Sequence, residues 1–209
     1  MEPRLVETPG APRPLRLIAG DLALDFANTV DRPQGQPFDH LTRYSHLVGW
    51  TSQAGVIGAA LARGLLQTAE QNPHRAHNVT AEAHRLRENI GELFDPGTAS
   101  RDAQEHWLNL RKYVGGAYRA ASIEPTASPG DRWKWSDPSD LRTPLYHVAV
   151  AAGDLMNSAD LHQIKRCANC PWLFVDRSRN HQRRWCDMDD CGRVSKIRLA
   201  SARRHSQQR

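Results

Sequence analysis

The sequence predicts an α+β protein: a mostly α-helical N-terminal domain with a small β-sheet, followed by a small treble-clef-like or ribbon-like four-cysteine finger that ends in a basic helix. Three observations predict it. Apolar residues recur at helical spacing, as in Leu86, Ile90 and Leu93, and again in Leu145, Val148, Ala152 and Leu155. Short alternating segments at Leu15–Ile18 and Trp133–Trp135 read as strands. All four cysteines of the chain, Cys167, Cys170, Cys186 and Cys191, lie near its C-terminal end. A chain of 209 residues with 39% hydrophobic and 24% charged content suits one or two soluble globular domains with a real core.

Residues 1–14 are proline-rich and read as a flexible tail, residues 15–160 as the helical domain, and residues 161–209 as the finger. Leu15-Arg16-Leu17-Ile18 alternates as a strand does, and Gly20-Asp21 ends it. Leu22 to Val30 fits either a strand or a helical turn, and Pro33 to Pro37 is loop. Asp39 is a candidate cap for a helix reaching about Gln53, and Val56 to Gln71 is a second helix. Asn72-Pro73 supplies the cap and first residue of a long helix to about Phe94, which Pro96-Gly97 breaks. Ser100 is placed to cap a helix carrying Trp107, Leu110 and Val114, and Ser122 to Asp131 is linker-like. Trp133-Lys134-Trp135 alternates and is expected to pair with the early strand. Thr143-Pro144 opens the next helix, and Ser158 caps a short one before the first cysteine pair.

The cysteines are spaced Cys-x2-Cys, fifteen residues, Cys-x4-Cys. Zinc takes four soft ligands at the corners of a tetrahedron, and two close cysteine pairs brought together by a loop supply them. Disulfides are the rival reading, which a reducing compartment disfavours. A redox Cys-x2-Cys would leave the second pair without a role. One structural zinc ion per chain is expected, with Cys167, Cys170, Cys186 and Cys191 as ligands. His162 and His181 then read as polar surface residues, because four thiolates already close the site. The turn at Cys167–Cys170 is a knuckle, Trp172–Val175 a strand beneath the metal, and Arg184–Cys186 the returning second strand. Gly192 allows a sharp turn into a helix from Arg193 to His205. On that helix Val194, Ile197 and Ser201 form a face expected to pack on the zinc site, beside a cationic one.

Charge is unevenly spread. Residues 165–209 hold twelve Lys or Arg against four Asp, a net of +8, while residues 1–164 carry −3. Four thiolates around zinc would leave the finger at about +6, which favours a polyanion. The candidate DNA contacts are Arg177, Arg179, Arg183 and Arg184 from the loop, and Arg193, Lys196, Arg198, Arg203 and Arg204 from the helix. Arginine suits phosphate because its planar fork donates two parallel hydrogen bonds.

Cys167-Ala-Asn-Cys-Pro-Trp-Leu-Phe-Val-Asp176, followed by Arg177-Ser-Arg-Asn-His-Gln-Arg-Arg-Trp-Cys186, closely resembles the bacterial CGNR zinc finger family. Gly20-Asp-Leu-Ala-Leu-Asp-Phe-Ala-Asn-Thr29 resembles the start of the ABATE domain that precedes this finger, and Trp133-Lys-Trp135 fits it too. The tetrad that names the finger begins here as Cys191-Gly192 and departs to Arg193-Val194, with zinc ligation untouched. The resemblance implies a transcription regulator linked to stress response, with the N-terminal domain as a ligand-sensing or regulatory unit. Asp25, Asn28 and Thr29, which match the N-terminal motif, are candidates to line a small-molecule pocket with Trp133 and Trp135. The simpler reading is that Asp25 and Asn28 cap or turn the backbone and the tryptophans are core.

No Ser-His-Asp set, phosphate loop or His-Glu-x-x-His motif is present, so no enzyme is expected. The expected partners are DNA, a small-molecule effector and a second copy of the chain, since one short finger covers few base pairs. The rival classes are a finger that binds protein or RNA, and a small-molecule-binding protein with the finger as a structural appendage. Met1 to Pro14 lacks the apolar core of a secretory signal, and the longest uncharged run, Tyr44–Ala62, carries polar residues and three glycines. A cytoplasmic protein with no membrane span is expected.

Overall fold

The computed structural model describes residues 4–32, 36–123 and 133–207. Part of the proline-rich start is ordered from Arg4 on. Its Arg4–Val6 segment is strand β1, paired antiparallel with β2 (Leu15–Leu17), and Val6 is buried in the core. Asp21 then fixes the first helix: its carboxylate accepts the Ala23 N–H at 2.8 Å, and α1 runs Leu22–Ala27. The ambiguous stretch thus resolves into a short helix followed by β3 (Val30–Asp31), which pairs with β4 (Phe38–Asp39).

Asp39 does not cap the next helix. It sits in β4, and its two carboxylate oxygens accept both terminal N–H groups of Arg87 at 2.7 Å each. That bidentate pair outcompetes a cap, and α2 (Tyr44–Gln53) begins later. α3 (Ala59–Gln71) also begins later than its apolar pattern implies, because the Val56 and Ile57 amides bond back to the Thr51 carbonyl and close α2. α4 (Pro73–Phe94) starts at the expected proline, although the Asn72 side chain bonds Thr68 O and caps nothing. α5 (Ser100–Ala120) and α6 (Thr143–Met156) follow the predicted stripes. α5 packs against α4 and α6, and α1 against α4 and α6.

β6 (Trp133–Trp135) pairs with β5 (Ala121–Ile123), not with the early strand. β5 leaves α5 directly, so the nearer partner closes the shorter loop. The rest of the stretch read as linker lies outside the described residues. The expected small sheet is four separate two-stranded antiparallel pairs among the described residues.

After a 3-10 turn at Ala159–Gln163, β7 (Ile164–Arg166) pairs with β8 (Leu173–Val175) around the Cys167–Cys170 knuckle. Arg184–Cys186 is therefore not the second strand. The hairpin is closed by the short knuckle, where the Cys167 N–H reaches Trp172 O at 2.9 Å. Arg184 adds only its carbonyl, which accepts the Ala168 N–H at 2.8 Å. A π-helical turn at Met188–Gly192, capped by Asp187, leads into α7 (Arg193–Gln207). Val194 and Ser201 on α7 are half-buried, but Ile197, on the same face expected to pack on the zinc site, is 60% exposed. One apolar core runs from Leu15, Phe26, Trp50 and Leu86 through Leu145 to Leu173, Phe174 and Cys186, so the finger shares it. No described helix is long and apolar enough to cross a membrane.

Candidate zinc centre and basic surface

The knuckle presents Cys167 and Cys170, the segment after Arg184 presents Cys186, and the π-helical turn presents Cys191. Their four Sγ atoms lie within 4.8 Å of one another. Cys170 and Cys186 are 3.6 Å apart, and Cys186 and Cys191 3.7 Å. A zinc ion with Zn–S bonds of about 2.3 Å requires tetrahedral edges of about 3.8 Å. The cluster fits that ion, and four sulfurs close its coordination, so the zinc is structural. Thiols this close perturb one another: hydrogen bonds from Cys170, Cys186 and Cys191 pull Cys167 far below its usual value, and those to Cys167 and Cys170 push Cys186 far above it. A divalent cation accommodates all four as thiolates. The Asn169 N–H points to Cys167 Sγ at 3.5 Å, and Cys167, Cys186 and Cys191 are buried.

The finger is fastened to the N-terminal domain by the Gly20–Thr29 motif and its neighbours. Asn28 makes a two-way bridge to β8: its Oδ1 accepts the Leu173 N–H at 3.0 Å and its Nδ2 donates to Leu173 O at 2.8 Å. The Val175 N–H donates to Ala19 O at 2.8 Å, and Trp172 Nε1 to Val30 O at 3.0 Å. Arg13 bridges Asp31 at 2.8 Å and Asp190 at 2.9 Å, and Arg16 pairs with Asp187. Gly20 holds a φ of +82°, and Arg177 Nη1 lies 3.3 Å from where a Cβ would sit, so two constraints favour glycine there.

Sequence reasoning missed Asp176. It is fully buried, and its carboxylate takes Lys165 Nζ at 2.6 Å, the Arg183 N–H at 2.9 Å, and the Ser178 hydroxyl and N–H at 2.6 and 3.0 Å. The available signal was Asp-x-Ser, the pattern of a side chain that closes its own turn. His181 shares this loop, with Nδ1 2.7 Å from Asp176 O.

The candidate DNA contacts divide. Arg177 donates to Gly20 O at 2.9 Å and pairs with Asp160, so it is a tether. Arg183 lies over the Phe174 ring at 4.6 Å and donates to the Trp185 and Cys186 carbonyls, so it buttresses the zinc loop. Arg198 reaches Asn169 Oδ1 at 2.8 Å and holds α7 to the knuckle. Arg184 is exposed and stacks over Trp185 at 5.5 Å. Arg179, Arg193, Lys196 and Arg204 are exposed and make no ion pair among the described residues. The Arg203 side chain lies outside the described residues.

Among the described residues, the candidates for a small-molecule pocket divide between two places. The Thr29 hydroxyl donates to Phe26 O at 2.8 Å, Asp25 accepts the Ala19 N–H at 2.9 Å, and Asn28 is committed to β8. Trp135 belongs to a different cluster, where its Nε1 donates to His147 Nε2 at 2.7 Å beside Tyr146. The Trp133 side chain lies outside the described residues.

The comparison with curated proteins finds no match. Two family models match, the CGNR zinc finger over residues 163–204 and ABATE, described as "Putative stress-induced transcription regulator", over residues 20–169. With most of its length matched by one model and the cysteine cluster by the other, the chain belongs to the ABATE family and carries a C-terminal CGNR zinc finger.

Proposed function

We propose that the protein is a cytoplasmic bacterial transcription regulator that binds DNA through the zinc finger, without catalysis, while the N-terminal domain governs when it binds. The observation that carries this reading is the division of the basic set. Arg177, Arg183 and Arg198 are spent on the fold, yet Arg179, Arg193, Lys196 and Arg204 remain exposed without an acidic partner among the described residues. Three of these project from α7, whose first turn the zinc centre anchors through Cys191. A metal-anchored helix bearing unpaired cations suits phosphate contacts. A dimer would double the contacted length, and an effector bound to the helical domain would supply the control.

The salt dependence of duplex binding tests this reading. Log K against log salt has a slope of about −0.9 per phosphate contact. The double substitution Arg193→Gln and Lys196→Gln is expected to lower the slope magnitude by about 2 with zinc content unchanged. An unchanged slope in that variant would remove α7 from the interface.

A further inference from the structure

A second concave site lies away from the finger, between α4, α5 and α6. Its volume is about 510 Å³, the size of a small-molecule pocket. Arg85, Lys112, Arg119 and Arg142 stand on its walls, against one carboxylate, Glu82. Glu82 is already paired with Arg142, at 3.0 and 3.1 Å. Arg85 and Arg119 are exposed and have no side-chain hydrogen bond or ion pair among the described residues, and Lys112 meets only the neutral Asn109 Oδ1 at 3.2 Å. Three unneutralised cations around one hollow raise its potential and favour an anion.

The inner surface is different in kind. Tyr113 and Tyr146 are half-buried there and Leu145 is buried. The Tyr146 hydroxyl donates to Asp140 at 2.7 Å and its ring lies 5.3 Å from that of Trp135, so it is held in place. Asn89 is fixed as well, donating to Arg85 O at 2.7 Å with its Oδ1 3.1 Å from His106 Nδ1. Gly116 of α5 lines the hollow, and a Cβ there would meet nothing within 4 Å. Glycine inside a helix costs about 1 kcal/mol relative to alanine. No clash requires it here, and its effect is to leave open space against bare backbone. An apolar, aromatic floor under a cationic rim fits a compact organic molecule with acidic groups better than it fits a nucleic-acid backbone.

We propose that the cavity between α4, α5 and α6 binds a small organic polyanion, with carboxylate or phosphate groups on an apolar or aromatic body. Ligand binding at this cavity is tested without DNA, so its failure is distinguishable from failure of the DNA-binding reading. Full-length, zinc-loaded, 15N-labelled protein is titrated in low-salt, phosphate-free buffer with isophthalate, with phenyl phosphate, and with benzyl alcohol as the neutral control. Saturable amide shifts centred on Arg85, Gly116 and Tyr146 are expected with an anion and not with benzyl alcohol. Response to isophthalate alone assigns carboxylate chemistry, and response to phenyl phosphate alone assigns phosphate chemistry.

Arg85→Gln combined with Arg119→Gln should weaken binding about tenfold or more, as expected for losing charge-assisted contacts. Gly116→Leu should block binding with the far-UV CD spectrum and zinc content unchanged. If Gly116→Leu does not fold, the double arginine variant decides, since both side chains are exposed. Absence of saturable shifts with either anion up to about 10 mM overturns the proposal. So does an equal response to benzyl alcohol, or unaltered affinity in the arginine variant.

Discussion

Asp176 shows how one side chain organises the zinc loop. Removing it as Asp176→Ala would strand the Lys165 ammonium, the Ser178 hydroxyl and two backbone N–H groups around a site with no exposure. The expected cost is about 3 kcal/mol, read as a lower midpoint in chemical denaturation of the zinc-loaded protein. An unchanged midpoint would mean that the loop is held by the cysteines alone. Asp25 gives a pH dependence of definite sign. Burial pushes its carboxyl up to about 7 from an ordinary 3.8, against the opposing hydrogen bonds from the Ala19 and Ile18 amides and with the help of a nearby like charge at Asp21. The folded state therefore keeps a proton that the unfolded chain releases. That contribution is complete below about 3.8 and is lost as pH rises through about 7. Asp25→Asn should flatten the decline in melting temperature between these values and raise the melting temperature above the upper one. A decline as steep as that of the parent protein would contradict the assignment.

At the scale of elements, the cysteine spacing alone gave the metal ligands, because coordination chemistry is local and needs only sequence distance. The helices from α4 to α6 were equally legible, since proline starts and apolar stripes are local signals. Pairings were not. β7 is a three-residue strand with no pattern of its own, and the partner of Trp133–Trp135 was decided by proximity along the chain. Nor could spacing tell that Asn28, 145 residues away from Leu173, would complete the exposed edge of β8.

That bridge alters what zinc loss should do. A finger read from its cysteines is a unit that metal folds alone, so that Cys170→Ser would unfold residues 165–209 and spare the helices. With β8 bonded to Ala19 and Asn28 on its other side, and the Trp172 indole just before it bonded to Val30 O, loss of the metal should also expose α1 and β3. Hydrogen exchange of Cys170→Ser against the parent protein tests this. Faster exchange at both β8 and α1 is expected, with α4 and α5 unaffected; retained protection throughout α1 would show that the strip is only a surface contact.

For the whole molecule, the division of charge and the continuity of the core act together. The cationic excess is concentrated after residue 164, with a net of +8 against −3 before it. Yet the two regions share one core, so a change in the helical domain has a packed route to the finger through α1 and β8. The sequence made the charge division plain. It did not separate the arginines left exposed and unpaired from those that hold the fold, because a tether such as Arg177 and a free cation such as Arg179 differ only in three dimensions. The most direct test is fluorescence anisotropy of the intact protein with a duplex from its own promoter and with a scrambled duplex of equal length, each with zinc and after chelation. Tighter binding to the promoter duplex that disappears on chelation is the predicted result. Absence of binding at low salt, or binding that is the same with and without zinc, would contradict DNA recognition through the finger.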